Sequence, residues 1–122
     1  MRKQCHNPYM PLWEHVPDGE PHVFGDRLYV YGSHDLENGN EFCEQDYVCW
    51  SAPVTDLSDW RCDGVIYKKE QDPYNQDALP LYAPDVVKGP DGRYYLYYAL
   101  DTVNVISVAV CDTPAGEYEF LV

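Results

Sequence analysis

Glu20 and Asp85 are the acids whose surroundings point most directly to chemistry. Each heads a short apolar stretch, Pro21-His22-Val23-Phe24 in one case and Val86-Val87 in the other. Each stretch runs through a Gly/Asp turn into a tyrosine-rich run. Arg27-Leu28-Tyr29-Val30-Tyr31, set under Arg93-Tyr94-Tyr95-Leu96-Tyr97, is identical at three of five positions at an offset of 66 residues. The two acids therefore occupy equivalent places in a repeat, and a fold that gathers such places about one axis sets both carboxylates in one cleft. Two carboxylates so placed suit cleavage of a glycosidic bond, one as base toward water and one as acid or as tuner of the acid's proton affinity. A plainer reading makes them two turn acids among the chain's 21 acidic residues. Asp18, two residues before Glu20, is the alternative base.

The elements that must position these acids are strands. Ten prolines and eight glycines punctuate the 122 residues, and the runs between them are short and rich in Tyr and Val. Branched and ring side chains pack well on a pleated surface. The longest segment free of Pro and Gly, Arg93 to Thr113, could be a helix by length, but five of the eight residues from Val103 to Val110 are Val or Ile, which lose side-chain freedom in a helix. The expected class is all-β. The repeat predicts a partial β-propeller of about two four-stranded blades, the first over about 20–67 and the second over about 85–122. The smallest propellers have about four blades, so the chain is expected to be a fragment of a longer protein.

Charge and composition narrow the partners. The net charge of −13 argues against a nucleic-acid binder, which needs a basic face to displace counterions. A hydrophobic fraction of 45% and an aromatic fraction of 15% argue against a disordered acidic tail. No apolar run approaches the ~18 residues that cross a bilayer, so no membrane partner is expected. After Met1-Arg2-Lys3-Gln4, residues His6, Asn7 and Pro8 stand where a signal peptide carries its apolar stretch, which predicts a cytoplasmic protein. Cys5, Cys43, Cys49, Cys62 and Cys111 are odd in number and contain no C-x-x-C pair, so free thiols are expected. The acids show no D-x-D-x-D-G pattern. Neither a metal nor another cofactor is expected.

Four stretches resemble glycoside hydrolase family 43. They are Asn7-Pro8-Tyr9-Met10-Pro11 with Gly19-Glu20-Pro21-His22-Val23; Trp50-Ser51-Ala52-Pro53 with Asp56-Leu57-Ser58-Asp59-Trp60 and Gly64; Tyr82-Ala83-Pro84-Asp85-Val86; and Gly92-Arg93-Tyr94-Tyr95-Leu96-Tyr97-Tyr98. They cover nearly the whole chain in the family's order and imply its N-terminal portion. The resemblance implies a five-bladed propeller of the β-xylosidase and α-L-arabinofuranosidase type, inverting at the anomeric carbon with a base, a pKa modulator and a general acid. Asp85 falls on the modulator, and Glu20 falls where the family's base is an aspartate, a departure that lengthens the side chain by one methylene. The general acid has no counterpart in these 122 residues, so the isolated chain is expected to be inactive.

The implied substrate is an arabinose- or xylose-containing glycan. Tyr82, beside the modulator, and Trp13, in the opening segment, are expected to stack on sugar rings, and His34 and Asp35 to face the pocket. Trp50 and Trp60 are expected to pack in the core, and His22 either to pair with the base or to hold an ordinary strand position. The alternative function is a non-catalytic carbohydrate-binding propeller fragment, and a third reading is a plain acidic β-sheet domain. Two open sheet edges predict self-association.

Overall fold

The computed structural model describes residues 7–122. Cys5 and the basic start at residues 1–4 lie outside the described residues. Among the described residues the tyrosine- and valine-rich runs form strands, Val103 to Val105 excepted, and the one helical element is a 3-10 turn at Lys69–Gln71. Strands β1 (Glu20–Phe24), β2 (Arg27–Gly32), β3 (Tyr47–Pro53) and β4 (Arg61–Tyr67) pair antiparallel in chain order as one sheet. Strands β5 (Leu81–Lys88), β6 (Tyr94–Leu100), β7 (Ile106–Cys111) and β8 (Glu119–Phe120) form a second sheet of the same order.

Two strand starts differ from the sequence expectation, and the last strand is short. β5 begins at Leu81, four residues before Asp85, because Leu81 and Tyr82 already pair with Leu100 and Ala99. β7 starts only at Ile106, since Val105 N bonds back to Val103 O at 2.9 Å and turns the valine run. β8 is two residues long.

The sheets pack face to face on tyrosines. Tyr31, Tyr47 and Tyr67 from the first sheet and Tyr98 and Tyr118 from the second sheet's side are fully buried. A buried hydroxyl needs a partner, and these find theirs mostly across the seam. Tyr31 donates to Pro114 O at 2.7 Å and Tyr47 to Tyr82 O at 2.7 Å, while the hydroxyls of Tyr67 and Tyr98 lie 2.8 Å apart. Tyr98 donates onward to the buried Asp72 carboxylate at 2.6 Å. Ser33 Oγ adds a bond to Leu81 O at 3.0 Å. Phe24 of β1 meets Tyr94 of β6 edge-on at 5.0 Å, completing the contact beside the innermost strands.

The opposite face of the first sheet is covered by residues 7–19. Trp13 lies 6.0 Å from Trp50, and Tyr9 5.0 Å from Trp60. A Cβ at Gly32 would come within 2.1 Å of Val16 Cγ1, so only glycine lets this segment lie so close. With both faces covered, β3 is buried almost from end to end, whereas β6 alternates buried positions with more accessible ones. Trp50 is core, as expected, and Trp60 is half-buried with its indole donating to Leu57 O.

The tyrosine seam makes the fold sensitive to alkali. Burial, the largest cause, pushes Tyr67 up to about 12 from the ordinary 10.0, the nearby Asp72 charge adding to it and the Tyr98 hydrogen bond opposing it. Burial likewise raises Tyr31, Tyr47, Tyr98 and Tyr118 beyond the usual phenol range. The folded state holds these phenols neutral, so their stabilisation is complete below the unfolded value of 10.0 and is lost as pH rises through it toward the folded values. Thermal melts should hold steady to about pH 9 and fall by about 10 °C or more by pH 11, in step with tyrosinate absorbance. A midpoint that stays flat across that window would show that the seam does not depend on neutral phenols.

Candidate active site

β1 places Glu20 at its first residue, opposite Tyr31 of β2. β5 places Asp85 opposite Tyr97 of β6. Tyr31 and Tyr97 are the matched tyrosines of the repeat, so the two acids hold the same register position in their sheets. Residues i and i+2 of a strand share a face, and His22 therefore lies beside Glu20 on β1.

Asp85 owes its exposure to a β-bulge. Ala83 and Pro84 together oppose the single residue Tyr98, between the pairs Tyr82–Ala99 and Asp85–Tyr97. Along β5, Leu81 is buried, then Pro84 and Val86, so the buried set changes from odd to even positions across the bulge. Without the extra residue, alternation would turn Asp85 to the buried face. Pro84 suits this position because it has no ladder N–H to lose, and Ala83 takes a left-handed φ of 37°.

The result is a cross-sheet trio. Glu20, His22 and Asp85 each offer one ligand atom, and these atoms all lie within 4.8 Å of one another. His22 Nε2 lies 2.6 Å from Asp85 Oδ1, with the imidazole one-third and the carboxylate 60% exposed. His22 thus pairs with Asp85 and not with Glu20. The trio is the one cluster among the described residues that could hold a divalent cation, which the sequence patterns did not suggest.

Of the other expected site residues, Asp18, Tyr82 and Asp35 fall near the trio's end of the sheets without joining it, and Trp13 lies elsewhere. Asp18 is exposed, and its charge acts on Cys43 and Tyr47. Tyr82 is half-buried, and its hydroxyl is raised by burial first and then by the neighbouring Asp101 carboxylate, with Cys43 and Glu41 contributing. Asp35 organises the loop between β2 and β3, its carboxylate accepting from Cys43 N at 2.7 Å and its carbonyl from Gln45 Nε2 at 2.7 Å. Trp13 is 68% exposed on the covered face of the first sheet, over Trp50.

His34 is tied to Glu14, a residue that sequence reasoning missed. The Glu14 side chain is only 3% exposed; Oε1 lies 2.6 Å from His34 Nε2, and Oε2 accepts from Trp50 Nε1 at 2.8 Å. The backbone N of His15 also donates to Oε1, at 3.0 Å. Glu14 thus fastens the N-terminal segment to the end of β2 and to the middle of β3. Only its place next to Trp13 set it apart from the chain's other acids.

Backbone strain is concentrated at the same end. Asp18, Asn38, Cys43, Ala78, Ala83 and Thr102 have positive φ without being glycine. All lie near the starts of β1, β3, β5 and β7 or the ends of β2, β4 and β6, the end where the trio sits. The opposite end turns on glycine at Gly92, where φ is 82°. Left-handed non-glycine residues cost free energy and collect where a site fixes its loops.

No family model matches the chain. The chain is similar to a xylosidase/arabinosidase of Thermoclostridium stercorarium, at 69% identity over 121 residues that make up 98% of this chain and 26% of that protein. It is 36% identical over 124 residues to xylosidase/arabinosidase 43A of Humicola insolens, covering 88% of this chain and 36% of the relative. A solved family 43 glycoside hydrolase from Xanthomonas citri, complexed with xylotriose, superposes with a TM-score of 0.73 at 27% identity, over 91% of this chain and 33% of that one. The chain therefore spans about a quarter to a third of the length of these proteins, and its two sheets have the fold of part of such a propeller.

The Glu14 junction is open to test. Glu14→Ala leaves the Trp50 indole and the His34 imidazole facing a void, and should cost about 2–4 kcal/mol in urea unfolding, while Glu14→Gln, which keeps an acceptor, should cost about half as much. Equal stability of the alanine variant and the parent would remove Glu14 as the fastening.

Proposed function

We propose, from a chain that belongs to glycoside hydrolase family 43, that these blades supply two of the three acids of an inverting glycosidase site. Glu20 is the base and Asp85 the modulator. The bond cleaved is an O-glycosidic bond in arabinose- or xylose-containing oligo- or polysaccharides, a substrate class supported by the names of the relatives.

The observation that carries this reading is the distance within the trio. Base and acid of an inverting enzyme stand ~6.5–9.5 Å apart, leaving room for a water and the anomeric carbon between them. One carboxylate oxygen of Glu20 lies within 4.8 Å of one of Asp85, which sets the two acids side by side. They fit instead as neighbours on one side of the reaction, with the proton donor coming from a third residue.

In the reaction, Glu20 takes a proton from water as the water oxygen bonds to the anomeric carbon. The glycosidic C–O bond breaks on the opposite face, and the leaving oxygen takes a proton from the general acid. Asp85, a second negative group, holds that acid in place and keeps its proton available. The longer Glu20 side chain still reaches the trio from the first residue of β1, which supports its holding the aspartate's role. The general acid that the family resemblance implies has no counterpart among these 122 residues, which match 26% of the Thermoclostridium relative's length.

The test uses the polypeptide that carries these blades together with the acid, assayed on aryl xyloside and aryl arabinofuranoside. Glu20→Ala should lower kcat about 10²–10⁴-fold. Azide, which attacks the anomeric carbon without a base, should restore part of the rate and give a glycosyl azide of inverted configuration. Asp85→Asn should lower kcat at least about tenfold with no azide rescue. The 122-residue chain alone should release no aglycone above buffer. Binding of xylotriose by the long polypeptide without any turnover would favour a carbohydrate-binding role and overturn the catalytic one.

A further inference from the structure

We infer that His22 is a positioning residue for Asp85, orienting the modulator's carboxylate from the neighbouring sheet. The inference rests on the assignment of Asp85 proposed above and adds a residue to that site. Asp85 is 60% exposed on a bulged inner strand, and among the described residues His22 is the only side chain hydrogen-bonded to it. An exposed carboxylate with no fixed partner samples several rotamers, whereas a group that must orient a proton donor needs one.

His22 meets that need because its own ring is held. It stacks on Phe24 at 5.8 Å with 17° between planes and leans on Tyr31 at 6.5 Å, and Tyr31 is fixed in the buried seam. An ionised carboxylate only accepts, so the 2.6 Å contact has Nε2–H donating to Oδ1. Partly exposed ion pairs contribute little to folding, so stability gives a poor account of this one. One face of β1 therefore carries both the base and, two residues on, the clamp for the modulator.

Two substitutions separate the hydrogen bond from the ring packing. His22→Phe keeps the ring against Phe24 and Tyr31 but removes the donor. His22→Gln keeps a donor near the position of Nε2 but removes the ring. In the polypeptide that carries the general acid, His22→Phe should lower kcat about 10- to 100-fold with KM nearly unchanged. His22→Gln should stay within about threefold of the parent. The double variant His22→Phe/Asp85→Asn should be no slower than Asp85→Asn alone, because His22 acts only through the Asp85 carboxylate, which the asparagine has already removed. A slow Asp85→Asn beside a fully active His22→Phe would overturn the inference and leave the modulator assignment standing. So would a Gln variant as slow as Phe, or effects that multiply in the double variant. An Asp85→Asn variant with parental kcat would instead overturn the underlying assignment, and the inference with it.

Discussion

Tyrosine hydroxyls bonded across a buried seam set the geometry of this molecule. The phenols of Tyr31 and Tyr47 leave the first sheet and end on backbone carbonyls at Pro114 and Tyr82, and Tyr67 meets Tyr98 hydroxyl to hydroxyl. Apolar rings would bury comparable area, but they could slide against one another. A phenol that must satisfy its hydroxyl in the interior has one acceptable register. Because Tyr47 ends on Tyr82 O and Ser33 on Leu81 O, the seam grips the first two residues of β5. The bulge and Asp85 follow within three residues. The separation between the two inner-strand acids is thus inherited from bonds made deeper in the interface.

A second constraint acts from the far side of the first sheet. Glu14 is a buried side chain whose two carboxyl oxygens are both engaged, and it fastens an irregular segment that would otherwise have few ties to β3. With that segment in place, the first sheet is enclosed on both faces, and β1 has less freedom to shift under Glu20. The trio's end of the sheets accordingly combines strained loops with firmly held strands, an arrangement in which side-chain directions are decided by the scaffold.

The strands were legible because their signal is local. Runs such as Tyr94 to Tyr98 allow few other structures, and the matched tyrosines of the repeat alone place Glu20 and Asp85 at equivalent positions. What escaped was decided over longer range. Glu14 has no periodic signature, and its importance comes from a tryptophan 36 residues away. Asp35, expected to face the pocket from the end of a strand, also serves the backbone of its own loop, a long-range role that its sequence position does not announce. His22 was open between two roles, and its partner proved to be the acid 63 residues on. The bulge left one trace, a proline inside an otherwise regular strand, which marks irregularity but not its direction.

The bulge in β5 also bears on how the chain can vary over generations. Point changes at Ala83 or Pro84 leave the count of residues intact, and with it the outward aim of everything downstream. Loss or gain of a single codon there would exchange the two faces of the rest of the strand, sending Val86 to water and Asp85 into the tyrosine layer. The length of this segment is therefore expected to be under tighter selection than its composition.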